Sequence, residues 1–449
     1  MTYSLGSRRW RFVSLGAVAL MLVSASSAAQ TPPPDQPPVP TPPPEPAQPA
    51  PPPPAPPTPT AGIPEPTPIY PQMKGREITL GEGTWIRFGL QSQTWLDILQ
   101  SSFRKANGDD GDYAFNLYER RLRLFAGVQA FRRLQIFVLI EGSNLGRASS
   151  VLTAAGATAE TKNFNSIALL DGWAEIQLHE FFYLEAGMML VPLSRNGLQA
   201  TTTYLSLDVG ATSATILGIG TSVLRDVGIM AKGYLLDDHL EYRLGVFAGA
   251  RDLPTADNIG SKNAPRVAGF LQYNLLDVDK GYVFQGTYYG RKQIAGIASG
   301  FDFQKGTGAD PYWAASANVF AAIPLDGNPK EGGDEVAGFA QYLHLDGSET
   351  VAAAALQAQN DLLVEAAYYN RDTKLSVFGK FEGRFYAAEA TKVLNQLWFG
   401  GGVKYHLYDN GCNFTLRYER SSYPNAPTTG TGARNSTNQI TFAIQALYY

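Results

Sequence analysis

Basic side chains recur at alternate positions along several segments of this sequence, and fixed cations of that kind lower the barrier for anions in a water-filled passage. Arg121 and Arg123 form the tightest pair, and Arg195 follows a later apolar segment. Catalytic chemistry has less support, because only His406 with Ser376 suggests the base and nucleophile of a hydrolase. No metal-ligand spacing and no phosphate-cradling loop stand out, so we expect no metal and no cofactor.

Two-residue periodicity indicates the elements that position these side chains. In segment 413–419, the polar residues Asn413, Thr415, Arg417 and Glu419 alternate with apolar ones. Successive side chains of a strand point to opposite faces, so this segment predicts a strand with one polar and one apolar face. The same alternation recurs around Gln135, Glu241, Glu365 and Glu382.

The predicted connections between these strands alternate in length. Short ones, such as 237–238 and 409–411, alternate with long ones, such as 143–165, 192–222 and 421–437. Charged residues make up only 17 % of the chain, the formal net charge is −4, and the single cysteine excludes an internal disulfide. This combination is typical of a transmembrane antiparallel β-barrel of the bacterial outer membrane; a soluble β-protein is the weaker alternative.

The N-terminal region has the composition of an export signal followed by a spacer. Arg8, Arg9 and Arg11 precede an apolar stretch, and small residues end at Ala29, which predicts a signal peptide over 1–29. Twenty-two of the 30 prolines lie between Pro32 and Pro71. We therefore expect a disordered or polyproline II linker over 30–75, located in the periplasm, and the barrel domain over 76–449.

The alternation marks seventeen candidate strands, although a closed bacterial barrel of this type needs an even number. The candidates include 266–275, 281–291 and 294–304, and the connection lengths are least regular over 305–360. The length of the domain predicts about 16 strands, with about 18 as the alternative, and barrels of this size enclose an aqueous channel.

Side chains on the polar face of these strands should line the lumen. The basic candidates for solute contact, together with Arg195, are Arg121, Arg123, Arg133, Lys232, Arg243, Lys380, Arg384, Lys404 and Arg417. The acidic candidates are Glu119, Glu141, Asp171, Glu175, Glu185, Glu241, Glu365, Glu382 and Glu419. Nine strand cations against nine anions give no overall charge bias, and the alternative to solute contact is that these charges pair across strands.

Four segments resemble the phosphate-selective porin O and P family of bacterial outer-membrane porins. They are Tyr118–Gly127, Leu170–Glu175 with Leu184–Arg195, and Gln293–Phe303. The resemblance implies a 16-stranded, trimeric porin whose loops fold into the pore and whose lumenal arginines and lysines favour anions such as phosphate. The proline-rich linker is not part of the family pattern.

These patterns predict passive diffusion of small hydrophilic solutes and ions, with small anionic or neutral solutes as the favoured cargo. Outer-membrane lipid is the expected surroundings, a homotrimer the expected assembly, and nucleic acid is not expected as a partner. Two alternatives remain: a structural barrel whose residues 31–71 contact peptidoglycan, and a barrel-type outer-membrane hydrolase.

Overall fold

The computed structural model describes residues 77–81, 83–100, 113–152, 158–164, 166–216, 224–250, 264–306, 310–328, 330–347, 356–425 and 435–448. The predicted signal peptide and the whole of the predicted linker lie outside these ranges, so both stay predictions. No helix among the described residues is long and apolar enough to cross a membrane.

Strands dominate the described ranges. In chain order they are β1 (Glu77–Gly81), β2 (Thr84–Gln100), β3 (Tyr113–Phe131), β4 (Leu134–Leu145), β5 (Ala148–Leu152), β6 (Thr158–Lys162), β7 (Ile167–His179), β8 (Phe182–Leu190), β9 (Arg225–Leu235), β10 (Leu240–Phe247), β11 (Arg266–Asn274), β12 (Ile294–Gln304), β13 (Tyr312–Pro324), β14 (Glu335–Asp346), β15 (Gln359–Asn370), β16 (Leu375–Tyr386), β17 (Gln396–Tyr408), β18 (Cys412–Ser422) and β19 (Ser436–Tyr448). Two short helices complete the set: α1 (Ala211–Ile216) and a 3₁₀ helix at Glu389–Leu394.

Sixteen of these strands close into an antiparallel barrel, which confirms the predicted fold class and the smaller strand number. Closure comes from the pairing of β19 with β2, with Thr441 opposite Asp97. Strand β1 is extra and pairs with the start of β2, while β5 and β6 form a separate hairpin between β4 and β7.

The seventeenth candidate, 281–291, is not a strand, and the prediction for this segment is wrong. Instead, β11 pairs directly with β12, and residues 275–293 leave the sheet between them. The region 305–360, where connection lengths looked irregular, forms ordinary strands. Aromatic residues give 281–291 a high strand propensity, but burial inside the barrel overrides that preference.

Side-chain burial is inverted relative to a soluble protein. On β18, Thr415 is 0 % exposed whereas Leu416 is 51 % exposed, and the alternation continues with buried Arg417 and exposed Tyr418. Polar groups therefore face the interior and apolar groups face outward. A barrel with this polarity satisfies its backbone hydrogen bonds internally and presents an apolar outer face, as a lipid bilayer requires.

The two ends of the barrel differ in their connections. We call the end with the β2–β3, β4–β7 and β8–β9 connections the loop end, and the opposite end, with both termini of the barrel, the turn end. From the loop end, residues 191–216, here named the inward loop, enter the lumen. From the turn end, residues 275–293, here named the crossing segment, enter as well, and their aromatic residues are buried.

Several aromatic residues lie inside the barrel and not at the membrane interface, where aromatic rings of outer-membrane barrels are commonly found. Trp95, Tyr234, Tyr282 and Tyr288 are all at most 6 % exposed, because the inward loop and the crossing segment provide interior surfaces that a bare barrel lacks. By contrast, the side chains of Tyr342, Tyr368, Tyr405 and Tyr448 are exposed on the outside.

Candidate functional site

The backbone of the inward loop lies directly against the barrel wall at Leu193. Ser316 Oγ on β13 donates to the Leu193 carbonyl at 2.6 Å. A Cβ added to Gly300 on β12 would stand 2.0 Å from the same Leu193 oxygen. Any side chain at Gly300 would therefore displace the loop, so this glycine permits the close approach.

A β-bulge in β3 redirects the charged run 119–121. Strand β2 pairs Gln93 with Arg121 and Thr94 with Glu119, which leaves Arg120 as the extra residue. Glu119 consequently faces outward, and its carboxylate accepts hydrogen bonds from Ser92 and Thr94 hydroxyls, both at 2.8 Å. The predicted lumenal position of Glu119 is wrong, because alternation breaks at the bulge.

The same bulge sends Arg120 into the lumen, which strand alternation did not predict. Its Nη2 lies 2.8 Å from Asp208 Oδ2 of the inward loop, and Arg121 binds the other oxygen of that carboxylate. Arg121 Nη1 also donates to Gln93 Oε1 at 2.8 Å. The interruption of alternation by three successive charges was the sequence signal for this arrangement.

Arg123 completes an arginine cluster, defined here as Arg120, Arg121 and Arg123. Arg123 pairs with Glu141 of β4 and donates from Nη1 to Thr201 Oγ1 of the inward loop at 2.6 Å. Three guanidinium groups thus face two carboxylates, those of Asp208 and Glu141. The cluster carries one net positive charge where the inward loop meets β3.

Asp208 stays ionised in this position. Burial raises the pKa of its carboxyl, but the charges of Arg120 and Arg121, together with their hydrogen bonds, outweigh burial and hold the pKa below its ordinary value. The carboxylate therefore ties the inward loop to β3 across the physiological pH range.

Arg195 joins the inward loop to the crossing segment rather than facing open space. Its guanidinium donates to Gln272 Oε1 at 2.6 Å and to Asp279 Oδ2 at 2.7 Å. It also lies over the rings of Phe284 and Phe320, 4.5 and 3.7 Å from their centroids. These contacts satisfy the charge and identify Arg195 as an anchor of the lumenal segments.

Two predicted cations lie on the wall formed by β7–β10. Lys232 Nζ contacts the carboxylates of Glu175 and Glu185, the latter at 3.1 Å. Arg243 pairs with Glu241 at 2.6 Å and donates to the Tyr282 carbonyl at 2.9 Å. Lys232 and Arg243 are therefore bound to neighbours on the wall and to the crossing segment.

Four predicted cations lie on the wall formed by β16–β18. Lys380 pairs with Glu382 at 2.9 Å, and the Arg384 guanidinium carbon lies 5.6 Å from the Trp398 ring centroid. Lys404 Nζ donates to the Tyr204 carbonyl at 2.9 Å, and Arg417 lies 3.6 Å from Glu419.

Arg133 is the exception among the ten basic candidates. It lies in the exposed turn between β3 and β4, not on an inward strand position. Its predicted lumenal placement is therefore wrong, because β3 ends two residues earlier, at Phe131.

Ser376 and His406, the candidate hydrolase pair, do come together on β16 and β17. Ser376 Oγ lies 2.8 Å from His406 Nε2, and Tyr289 Oη of the crossing segment lies 3.1 Å from Nδ1. The adjoining cavity measures about 10 Å³. That volume holds one water molecule at most and leaves no room for an acyl group. Within the described ranges, no cluster of three or more metal-ligating side chains is present.

The fold is similar to that of solved outer-membrane channels. The anion-selective porin from Comamonas acidovorans matches with a TM-score of 0.50 and 11% identity, over 81% of this chain and all of that chain. The outer-membrane channel DcaP of Acinetobacter baumannii matches with a TM-score of 0.48 and 10% identity, over 83% of this chain and 99% of that one. The trimer form of the Vibrio cholerae outer-membrane protein OmpT gives a TM-score of 0.48 and 12% identity, over 82% and 100%.

No protein-family model matches the chain, and no curated protein matches it at a significant level. Because the sequence identity is 11%, the likeness to the Comamonas porin is a likeness of fold alone. The chain thus folds as a 16-stranded antiparallel barrel of the outer-membrane porin type.

Proposed function

We propose that this chain is an outer-membrane porin, a water-filled channel for passive diffusion of small hydrophilic solutes and ions. The observation that carries the proposal is the inverted polarity of a closed barrel of sixteen strands. An apolar outer face fits a membrane, and a charged inner wall fits a barrel that contains water.

We further propose that the pore prefers anions, with phosphate as a candidate solute. Support comes from the net positive charge of the arginine cluster at the point where the inward loop narrows the lumen. A fixed cation beside the path lowers the electrostatic barrier for anions. The phosphate-selective family resemblance points the same way and stays a prediction, as does the homotrimer.

Location follows from the same proposal. The barrel would lie in outer-membrane lipid, with the turn end and the proline-rich linker on the periplasmic side. Contact of residues 31–71 with peptidoglycan stays a prediction, tested by whether deletion of 31–71 releases the protein from sedimented cell wall.

Planar bilayer recording tests the proposed channel directly. The mature chain should produce stepwise ionic currents, and in a potassium chloride gradient the zero-current voltage should shift toward the chloride equilibrium potential. Absence of conductance from a folded, membrane-inserted barrel would contradict the porin proposal. A shift toward the potassium equilibrium potential would contradict only the anion preference.

The contact between Ser376 and His406 motivates a second candidate, a hydrolase. Cleavage of a short chromogenic ester that is lost in Ser376→Ala would support hydrolysis. Equal background rates in both proteins, which the cavity of about 10 Å³ predicts, would eliminate it.

A further inference from the structure

Four acceptor side chains form a continuous row near the turn end of the wall, on β3, β4, β7 and β8. We name Gln129, Gln135, Glu175 and Glu185 the acceptor row. The sheet register places each of the four directly opposite the next. Side chains directly opposite each other in a sheet have Cβ atoms about 5 Å apart, so one small group can touch two of them.

Several oxygen atoms of the row lack a hydrogen-bond donor among the described residues. Gln129 and Gln135 are 1 % and 4 % exposed, yet their Oε1 atoms have no hydrogen-bond partner among the described residues. Glu185 is fully buried, and its Oε1 also has no hydrogen-bond partner there. A buried acceptor without a donor costs roughly 1–3 kcal/mol, which favours a ligand that brings donors.

The row also holds more carboxyl groups than cations. Glu175 and Glu185 face each other and share a single cation, Lys232. The neighbouring Glu241 is matched by Arg243, and a separate pair joins Asp171 to Arg225 at 3.0 Å, so neither adds or removes charge. When both carboxyl groups of the row are ionised, one negative charge remains, and directly opposed carboxylates repel each other.

Aromatic rings border the row toward the middle of the barrel. Phe137 and Trp173 are the next inward-facing residues of β4 and β7, on the side of Gln135 and Glu175 nearer the middle of the barrel. Their ring centroids are 5.4 Å apart. Tyr282 of the crossing segment lies 4.9 Å from Trp173. Lys232 Nζ already lies 5.8 Å from both the Trp173 and Tyr282 centroids, which shows that an ammonium group suits this environment.

We propose that the acceptor row is a binding site for the cationic amino group of a small organic solute. An ammonium group supplies three donors and one positive charge, which match the free amide oxygens, the unpartnered carboxylate oxygen and the missing charge. Its alkyl portion would lie against Trp173 and Tyr282. The site goes beyond the proposed diffusion function and does not require conduction.

Isothermal titration of the mature chain in detergent micelles tests this site, with butylammonium chloride as probe and butanol as its neutral control. We expect saturable binding of butylammonium and none of butanol. Glu185→Gln should weaken binding at least tenfold, and Gln135→Leu should weaken it less. Glu389→Gln, a matched charge change at a side chain that is 86% exposed, should leave the affinity unchanged.

Two results would overturn the proposal. Butylammonium heats no larger than those of butanol would mean that a proton or water satisfies the row. An affinity that is unchanged from the unmodified chain in both Glu185→Gln and Gln135→Leu would place the probe elsewhere. Parallel bilayer recordings on the same preparations show whether the channel conducts, so a failure of this site is distinguishable from a failure of the porin proposal.

Discussion

The arginine cluster and the acceptor row lie on overlapping strands of one wall but carry opposite excess charge. In the cluster, three guanidinium groups face the carboxylates of Asp208 and Glu141. In the row, two carboxylates share Lys232. This difference shows that equal numbers of predicted lumenal cations and anions are compatible with a local excess of either charge. The local excess depends on the bulge in β3, on the inward loop and on the cross-strand partners.

Neutralising the arginine cluster should have the largest effect on ion preference. One unit charge about 12 Å from an ion in water is worth about 0.35 kcal/mol, with opposite sign for an anion and a cation, which is about threefold in their permeability ratio. The double substitution Arg120→Gln with Arg121→Gln should therefore lower the chloride-to-potassium permeability ratio by about tenfold, measured from zero-current voltages. An unchanged ratio would show that the arginine cluster does not determine the ion preference. Arg133→Gln, in the exposed turn, serves as the matched control.

Asp208→Asn should change the ratio in the opposite direction. Removing the carboxylate leaves two arginines uncompensated, so the ratio should rise by about threefold at low salt. The rise should shrink in 1 M salt, where the Debye length is about 3 Å. A fall in the ratio would mean that the freed inward loop, and not charge, controls selectivity.

Mild acid should leave the link between Asp208 and its two arginines intact. The pKa of Asp208 is held below its ordinary value, so its link to Arg120 and Arg121 stabilises the folded state above the ordinary pKa of aspartate. That contribution is lost only as the pH falls through the lower folded-state pKa. We expect the difference in permeability ratio between the unmodified channel and Asp208→Asn to stay constant from pH 7 to about pH 4.5, recorded on single channels, whereas a difference that already shrinks at pH 5.5 would contradict the pairing.

Arg195→Ala should affect stability far more than ion preference. The substitution leaves buried Asp279 unpaired, which costs about 3–5 kcal/mol of unfolding free energy. Urea unfolding in lipid vesicles measures this loss. Arg195→Lys should keep part of the stability that Arg195→Ala loses. A large change in permeability ratio without loss of stability would show that Arg195 contacts solute after all.

Alternation predicted the strands well because inward and outward environments differ so sharply. It failed where one residue changes the phase, as at Arg120, and where a segment leaves the sheet, as at 281–291. The crossing segment is held by tertiary contacts that no local pattern encodes: the Glu335 carboxylate accepts the backbone N–H groups of Tyr288 and Gly290. Tyr289 between them has φ 56°, a conformation rare for an aromatic residue.

Zero-current voltages of Arg121→Gln and Glu185→Gln, recorded in the same potassium chloride gradient, test the central contrast most directly. The account predicts opposite displacements from the unmodified channel, toward potassium for Arg121→Gln and toward chloride for Glu185→Gln. Displacements in the same direction, or none in either variant, would contradict it.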